Sequence, residues 1–499
     1  MKALYQQIKQ NQDVRKSLSQ FREKIKSTGE LEKAQALWKE DGQCLQELLR
    51  AEDAKTRKNA ALLIGDLKRQ DLLSALWSAY EKETTLFVKS AYLVAMENLN
   101  ITDYKTSIKN RKEELESSIP KEEEAKHFYE ELSALEGLYV KLFGRTHHTF
   151  TGYGKAYDIL LLGNRRQLPA LLEQLKAEET IQTYDAKVLS AGIRLPNAQI
   201  KTLQEIRTWS EMLFLVPGMK TVAADPMQAA EKILQSGLAE FLEKNHKEPG
   251  PFYFRVEYKS KQEGKEKNAF LKKLSAALEK GSKRNWICSP ADYEWELRLV
   301  ETKNGSLNAM VKLGTLEDTR FSYRKEYLPV SIKPVTAALL VELAKEYMAE
   351  SAQVLDPFCG VGTMLIERQK RIPANTSYGL DTLGLAIEKA KENTEAAGQI
   401  VHFINRNFFD FTHEYLFDEI FTNMPFAQGK TTPLDIYQLY EKFWGKAATH
   451  LVPGGKVILY THNKEHGDKL APLEGFSKLQ EWTIHSKEGT YLQVWEKMK

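Results

Sequence analysis

The sequence runs to 499 residues with 42% hydrophobic and 28% charged side chains, which excludes a disordered chain and calls for two to four separate cores. Net charge is only +3, so any surface for a polyanion has to come from local clustering. Three cysteines, Cys44, Cys288 and Cys359, are odd in number and far apart, which argues against a disulfide framework or a structural zinc site and implies a reducing compartment. No apolar run approaches the roughly 18–20 residues of a membrane span. The opening MKALYQQIKQNQDVRK is polar and helical rather than a secretory leader. The expectation is a cytoplasmic protein with no membrane contact and no metal.

Residues 1–145 read as helix throughout, with apolar residues three and four apart and no Gly-Pro punctuation. RKNAALLIGDL from Arg57 and VKSAYLVAMENL from Val88 align at an offset of 31 residues, which places Lys58, Ala60, Leu62 and Ile64 on Lys89, Ala91, Leu93 and Ala95. That offset suits two-helix solenoid units. The pair resembles HEAT-type repeats, in which small alanines let helices approach closely; an irregular helical domain is the alternative. This region would have a partner of its own, expected to be a protein.

Residues 146–250 open with HHTFTGYGKAYD, where aromatics and glycines break the helical pattern, and continue as an α+β lead-in. His147 and His148 have no acidic or cysteine partner at ligand spacing and are expected in a solvated turn. A Glu-Pro-Gly-Pro turn near Gly250 marks a boundary before 251–320. There FYFRVEYKSK alternates as a strand with Phe252, Phe254, Val256 and Tyr258 on one face, followed by the basic helix AFLKKLSAALEK and the strands YEWELRLVET and LNAMVKLGT. Between Arg255 and Arg284 ten basic residues oppose four acidic ones, a surplus twice the net charge of the whole chain. Arg255, Lys259, Lys272, Lys273, Lys283 and Arg284 are the candidates for tracking phosphates, an ordinary solvated lysine face being the alternative.

Residues 321–499 alternate strand and helix: KPVTAALLVELAKEYM, then AQVLDPF, TSYGLD, IVHFINR, EIFTNMP and GKVILYTHN with helices between most of them. This is an α/β pattern, a Rossmann-like doubly wound sheet that binds ligands at the carboxyl ends of its strands. The loop after the first strand, in VLDPFCGVGTMLIE, holds Asp356, Pro357, Phe358, Cys359, Gly360, Gly362 and Thr363. Its glycines let backbone pass close to a ligand, and the acid at the strand tip can hold an ammonium or a hydroxyl. No Lys-Ser/Thr follows the second glycine, so it is not a Walker loop. The string resembles the S-adenosylmethionine loop of class I methyltransferases, in the Asp-Pro-Phe-Cys-Gly-x-Gly-Thr form of RNA-modifying members. Asp381, at the end of TSYGLD, can accept both ribose hydroxyls of a nucleoside.

FTNMPFAQGK resembles the Asn-Pro-Pro-Tyr/Phe motif of methyltransferases acting on planar nitrogen, closest to the Asn-Leu-Pro-Phe-Gly variant of guanine-amine enzymes. Asn423 and a backbone carbonyl near Pro425 would accept the two N–H groups of an exocyclic amine and aim its lone pair, while Phe426 would stack on the flipped base. Cys359 could suggest a pyrimidine-carbon nucleophile, but it sits in the cofactor loop, and Phe426 rather than a cysteine follows Pro425; it is read as packing. His462 to His466 formally matches an inverted zinc-protease pattern, read as chance.

The chain resembles a THUMP-domain RNA methyltransferase over 323–499 and more faintly over 195–312, with a THUMP-like α+β middle and a class I methyltransferase domain; the HEAT-like α-helical N-terminal region is an addition to the usual family plan. The resemblance implies S-adenosylmethionine as cofactor, folded RNA as substrate (tRNA ahead of rRNA), and guanine-N2 methylation. It places Ser331, Lys333, Pro334 and Thr336 beside the cofactor, and Asn407 and Phe408 near its adenine. The chain departs from the pattern at Met424, Ala427 and Asn407, where Leu or Pro, Gly and an acidic residue are usual. Adenine-amine methylation of rRNA or DNA, and a non-catalytic RNA-binding scaffold with a vestigial methyltransferase fold, are the other readings.

Overall fold

The computed structural model describes residues 1–498 apart from 119, 122, 146, 180, 182–184, 250, 262, 263 and 430. Gly250 of the expected turn and Glu263 of the charge tally lie outside the described residues. The chain separates into two compact units, 1–146 and 147–499. No helix among the described residues is long and apolar enough to cross a membrane.

The first unit consists of α1 (Lys2–Lys9), α2 (Val14–Thr28), α3 (Leu31–Trp38), α4 (Gly42–Leu48), α5 (Ala54–Asp66), α6 (Leu73–Lys82), α7 (Leu86–Met96), α8 (Lys105–Glu116) and α9 (Ala125–Phe143). Helices α2, α5, α7 and α9 pack each against the next. Asp53 starts α5 by accepting the Thr56 N–H at 2.9 Å, satisfying a donor that a first helical turn leaves free. The aligned positions Ala60, Ile64, Ala91, Leu93 and Ala95 are all buried. A Cβ on Gly65 would stand 2.6 Å from the Ala95 backbone, so α5 and α7 meet in backbone contact that no larger residue allows.

The second unit begins with one mixed sheet. Its elements are β1 (Ala156–Gly163), α10 (Leu168–Ala177), β2 (Lys187–Val188), β3 (Gly192–Gln199), α11 (Ile200–Leu203), β4 (Trp209–Phe214), β5 (Thr221–Val222), α12 (Pro226–Leu234), α13 (Leu238–Lys244), β6 (Phe252–Lys259), α14 (Gly264–Gly281), β7 (Trp286–Cys288), β8 (Trp295–Glu301) and β9 (Leu307–Leu313). The strand order is β2-β3-β1-β4-β9-β8-β6-β7, with β5 also on β9. Strand β9 pairs with β8 along its length and with β4 through Phe214 and Val311. The expected boundary near residue 250 therefore runs through a single sheet with a single core. His148 corrects a second expectation. It is buried, its Nδ1 donates to the Glu294 carboxylate at 2.7 Å, and it stacks on Phe252 with ring centroids 3.8 Å apart. Its carboxylate partner lies 146 positions away in the chain, beyond any local spacing.

Then follow α15 (Pro334–Ala344), β10 (Gln353–Asp356), α16 (Thr363–Arg371), β11 (Thr376–Asp381), α17 (Gly384–Ala396), β12 (His402–Asn405), β13 (Phe417–Asn423), α18 (Pro433–His450), β14 (Leu451–Thr461), α19 (Lys464–Leu470), β15 (Phe476–His485) and β16 (Thr490–Lys497). Their sheet has the order β12-β11-β10-β13-β14-β16-β15. Strands β10 to β14 pair in parallel, and the antiparallel β15–β16 hairpin closes one edge. The two sheets are joined by polar contacts. Arg207, just before β4, grips Glu367 of α16 at 2.8 and 2.7 Å, and the Tyr323 hydroxyl donates to the same carboxylate at 2.6 Å.

Candidate active site

Strand order reverses at β10: the chain winds out through β11 and β12, then returns to place β13 on the other side. A crevice opens outside the carboxyl ends of the strands at such a switch point. Here it is a cleft of about 580 Å³, lined by the loops after β10, β11, β12 and β13 and by the first turns of α18. Pro357, Phe358, Cys359, Gly360, Thr363, Asp381, Asn407, Phe408, Asn423, Pro425 and Phe426 all line it. Four strand ends far apart in the sequence thus converge on one space.

The loop after β10 turns through Gly360 and Gly362 at φ +52° and +80°, the left-handed region in which a side chain is strained. Asp381 fastens this loop from the next strand. One carboxylate oxygen accepts the Gly360 N–H at 3.0 Å and the other accepts the Leu383 N–H at 2.8 Å. The carboxylate oxygens keep further lone pairs for a ligand in the cleft. Asn407 caps the turn after β12, its side-chain oxygen accepting the Phe409 N–H at 3.0 Å. Its amide nitrogen is left as a donor at the cleft.

Asp356 does not line the cleft. It is fully buried behind the loop, where one oxygen accepts the Thr422 hydroxyl at 2.6 Å and the Phe358 N–H at 3.1 Å. The other oxygen has no partner among the described residues. Burial pushes its pKa up to about 7, partly offset by the Thr422 and Phe358 hydrogen bonds. Thr422 is a site residue that sequence reasoning missed, although it stands in the same FTNMP string. Cys359 is buried, and burial raises its thiol well above the ordinary value, which suits packing and not nucleophilic attack.

Gly362, Pro334 and Thr336 also fall outside the cleft lining. Gly362 sits at the start of α16 with its α-carbon hydrogens toward Phe403, to which an added Cβ would come within 3.0 Å. Pro334 begins α15 and is buried. The segment before it, Leu328 to Ile332 with Ser331, takes the wall position expected of Pro334 and Thr336.

On the opposite wall, Asn423 ends β13 opposite Tyr460, and the Met424 N–H is held by the Tyr460 carbonyl at 2.9 Å. The Asn423 side chain makes no hydrogen bond to the described residues. Met424 fills the core, which accounts for a larger apolar residue at that point of the motif. Phe426 packs against His462 with ring centroids 4.4 Å apart at 37°. His466 packs instead against Tyr437 and Tyr440, so the two imidazoles have separate surroundings. No group of three metal-ligating side chains occurs among the described residues. Gln428, Thr431 and Asp435 line the same wall and were not singled out in the sequence.

The basic stretch divides. Arg255 is not free: both its Nε and Nη2 donate to Glu296, at 2.8 and 2.6 Å, and its guanidinium lies 4.0 Å from the Tyr293 ring centroid. Arg284 stands 4.0 Å from Glu279. Lys259, Lys272, Lys273 and Lys283 are exposed and carry no ion pair to the described residues.

Residues 322–490 match the family described as RMKL-like, methyltransferase domain. No curated protein matches the chain. TrmN from Thermus thermophilus is a structural neighbour at 21% identity and TM-score 0.51, the match covering 68% of this chain and 99% of that one. A predicted N6-adenine-specific DNA methylase from Listeria monocytogenes matches at 17% identity and TM-score 0.52, over 68% and 96%. SMU.472, complexed with SAH, matches at 14% identity and TM-score 0.50, over 69% and 98%. The cofactor of the domain is S-adenosylmethionine. The residues present would suit it: a left-handed glycine turn permits close approach, Asp381 could accept vicinal hydroxyls and the Asn407 amide could meet an adenine edge.

Proposed function

We propose that the chain methylates the exocyclic N2 amine of a guanine in folded RNA, with tRNA the favoured substrate and rRNA the next. The observation that carries this reading is Asn423, an amide with no hydrogen bond to the described residues at the end of β13, opening on the same cleft as Asp381. When bound, S-adenosylmethionine supplies a methyl group already activated by its sulfonium, so positioning of the acceptor supplies most of the acceleration. Asn423 Oδ1 and a backbone carbonyl near Pro425 accept the two amine N–H groups and turn the nitrogen lone pair out of the ring plane. Phe426, braced by His462, gives the flipped base a face to stack on.

Asp435 favours guanine over adenine. It lines the cleft, and one of its oxygens accepts both the Thr432 N–H and the Thr432 hydroxyl, at 2.8 and 2.7 Å. The other oxygen has no hydrogen bond to the described residues. The Thr432 backbone N–H, with its hydroxyl, lowers the pKa and keeps the carboxylate charged. A carboxylate suits the N1–H donor of guanine, leaving both amine hydrogens to Asn423 and the carbonyl near Pro425, and repels the N1 lone pair of adenine. In this reading the 251–320 segment is a THUMP-like RNA contact through Lys259, Lys272, Lys273 and Lys283, residues 1–145 are a HEAT-like unit, and the protein works in the cytoplasm.

The test is incubation with labelled S-adenosylmethionine and total RNA, followed by digestion to nucleosides. N2-methylguanosine is expected, and Asp435→Asn, which keeps an acceptor for Thr432, should lose most of it. N-methyladenosine as the product overturns the base assignment, and label in DNA alone overturns the RNA assignment.

A further inference from the structure

The first unit lies outside the matched domain, yet it carries a charged groove of its own. The groove is formed by the first turns of α2 and α5 with one residue of α7, and encloses about 760 Å³ of open space. Arg15 and Lys16 enter from α2, Lys55, Lys58 and Asn59 from α5, and Phe87 from α7. One carboxylate, Asp13, faces the four cations. The chain as a whole has a surplus of only three positive charges over 499 residues, so this is a strong local concentration.

Other arginines of the same helices are committed to structure. Arg22 of α2 is held by Asp66 at 2.6 Å, and Arg57 of α5 by the buried Glu83 at 2.8 Å. None of Arg15, Lys16, Lys55 and Lys58 forms an ion pair with the described residues. Asp13 in the groove and Asp53 near Arg15 offset part of this charge, and the positive surplus that remains is relieved by a bound anion. Phe87 adds a different chemistry. Its half-buried ring lies in the groove with the Lys58 ammonium 5.9 Å from its centroid. Cations flanking an accessible aromatic face match a ligand with a charged backbone and planar rings. An acidic protein segment would use the cations and leave the ring idle.

We propose that this groove binds a single-stranded segment of RNA, phosphates on Arg15, Lys16, Lys55 and Lys58 and a base on Phe87. It would be a second RNA contact, separate from the lysines of α14. The inference shares with the reading above the premise that RNA is the ligand, and it does not depend on which base is methylated.

The test uses the full chain with a fluorescent single-stranded RNA dodecamer, its affinity read by anisotropy across a salt series. Changing Arg15, Lys16, Lys55 and Lys58 together to Ala should weaken binding at least tenfold at low salt. The slope of log affinity against log salt should fall by roughly 2–3, at about 0.7 per phosphate neutralised on a single strand. A charge-retaining variant, Arg15→Lys with Lys16, Lys55 and Lys58 each changed to Arg, should keep the wild-type slope and so exclude misfolding as the cause. Phe87→Leu should weaken the RNA while leaving polyphosphate binding unchanged. An unaltered slope in the quadruple Ala variant overturns the site, and so does equal displacement of the RNA by polyglutamate of the same charge. Loss of RNA affinity alongside a wild-type product other than methylguanosine leaves the groove standing and removes only the guanine reading.

Discussion

Asp356→Asn isolates the energetic burden of a carboxyl sealed behind the cofactor loop. In the native state its pKa is about 7 against an ordinary 3.8, and it has a fully buried side chain. Below about pH 3 both folded and unfolded chains hold the proton, so the group is neutral in the balance. As pH rises the unfolded chain releases the proton first, and native stability falls until the folded group ionises near pH 7. The gap corresponds to about 4 kcal/mol at pH 8, and to about a third of that at pH 5. Asparagine keeps an oxygen to accept from Thr422 Oγ1 and Phe358 N–H and never ionises. The cofactor-free Asn variant should therefore melt about 5 °C above the wild type at pH 8, with a much smaller gain at pH 5. Differential scanning calorimetry at the two pH values measures both. An identical shift at both, or a less stable variant at pH 8, would refute the reasoning that the buried carboxyl is strained by its own charge.

Asp381→Ala should weaken S-adenosylmethionine binding by roughly 2–3 kcal/mol through lost charge-assisted hydrogen bonds, read by calorimetry. Asn423→Ala should cut turnover about a hundredfold with cofactor affinity unchanged, since its contact matters chiefly in the transition state; normal turnover removes the motif from the mechanism. Phe426→Ala should weaken engagement of the base by about 1–3 kcal/mol, visible as a raised KM for RNA. Lys272, Lys273 and Lys283 changed together to Ala should flatten the salt dependence of RNA binding. Arg255→Ala should leave that slope alone and lower the melting temperature, because it strips a partner from the buried Glu296.

Much of the cleft was legible in the sequence because it is written in short strings at strand ends. The glycine turn after Asp356, the acid ending TSYGLD and the Asn-x-Pro turn each state their backbone demands within ten residues. What stayed hidden is set by distant partners. Asp356 looks like a ligand at a strand tip, and only the packing of α16 and β13 puts it behind the wall. Arg255 looks like a phosphate contact until Glu296, 41 positions on, neutralises it. His148 looks solvated until Glu294 arrives from β8's approach. The β15–β16 hairpin was not singled out; the largely exposed middle of β15 gives little alternation to read.

Strand β9 is the last to be made of the mixed sheet, yet it is the piece that joins the sheet's two halves, pairing β8 on one side and β4 on the other. On a ribosome the first half emerges with the edge of β4 open, and about a hundred further residues must appear before that edge is covered. The nascent chain therefore cannot finish its first half early; it waits for residues 307–313. A chain cut near residue 250 would leave β4 with an open strand edge, a template for pairing with another copy. Truncations meant to isolate the lead-in should aggregate, whereas a cut after β9 should leave the mixed sheet complete.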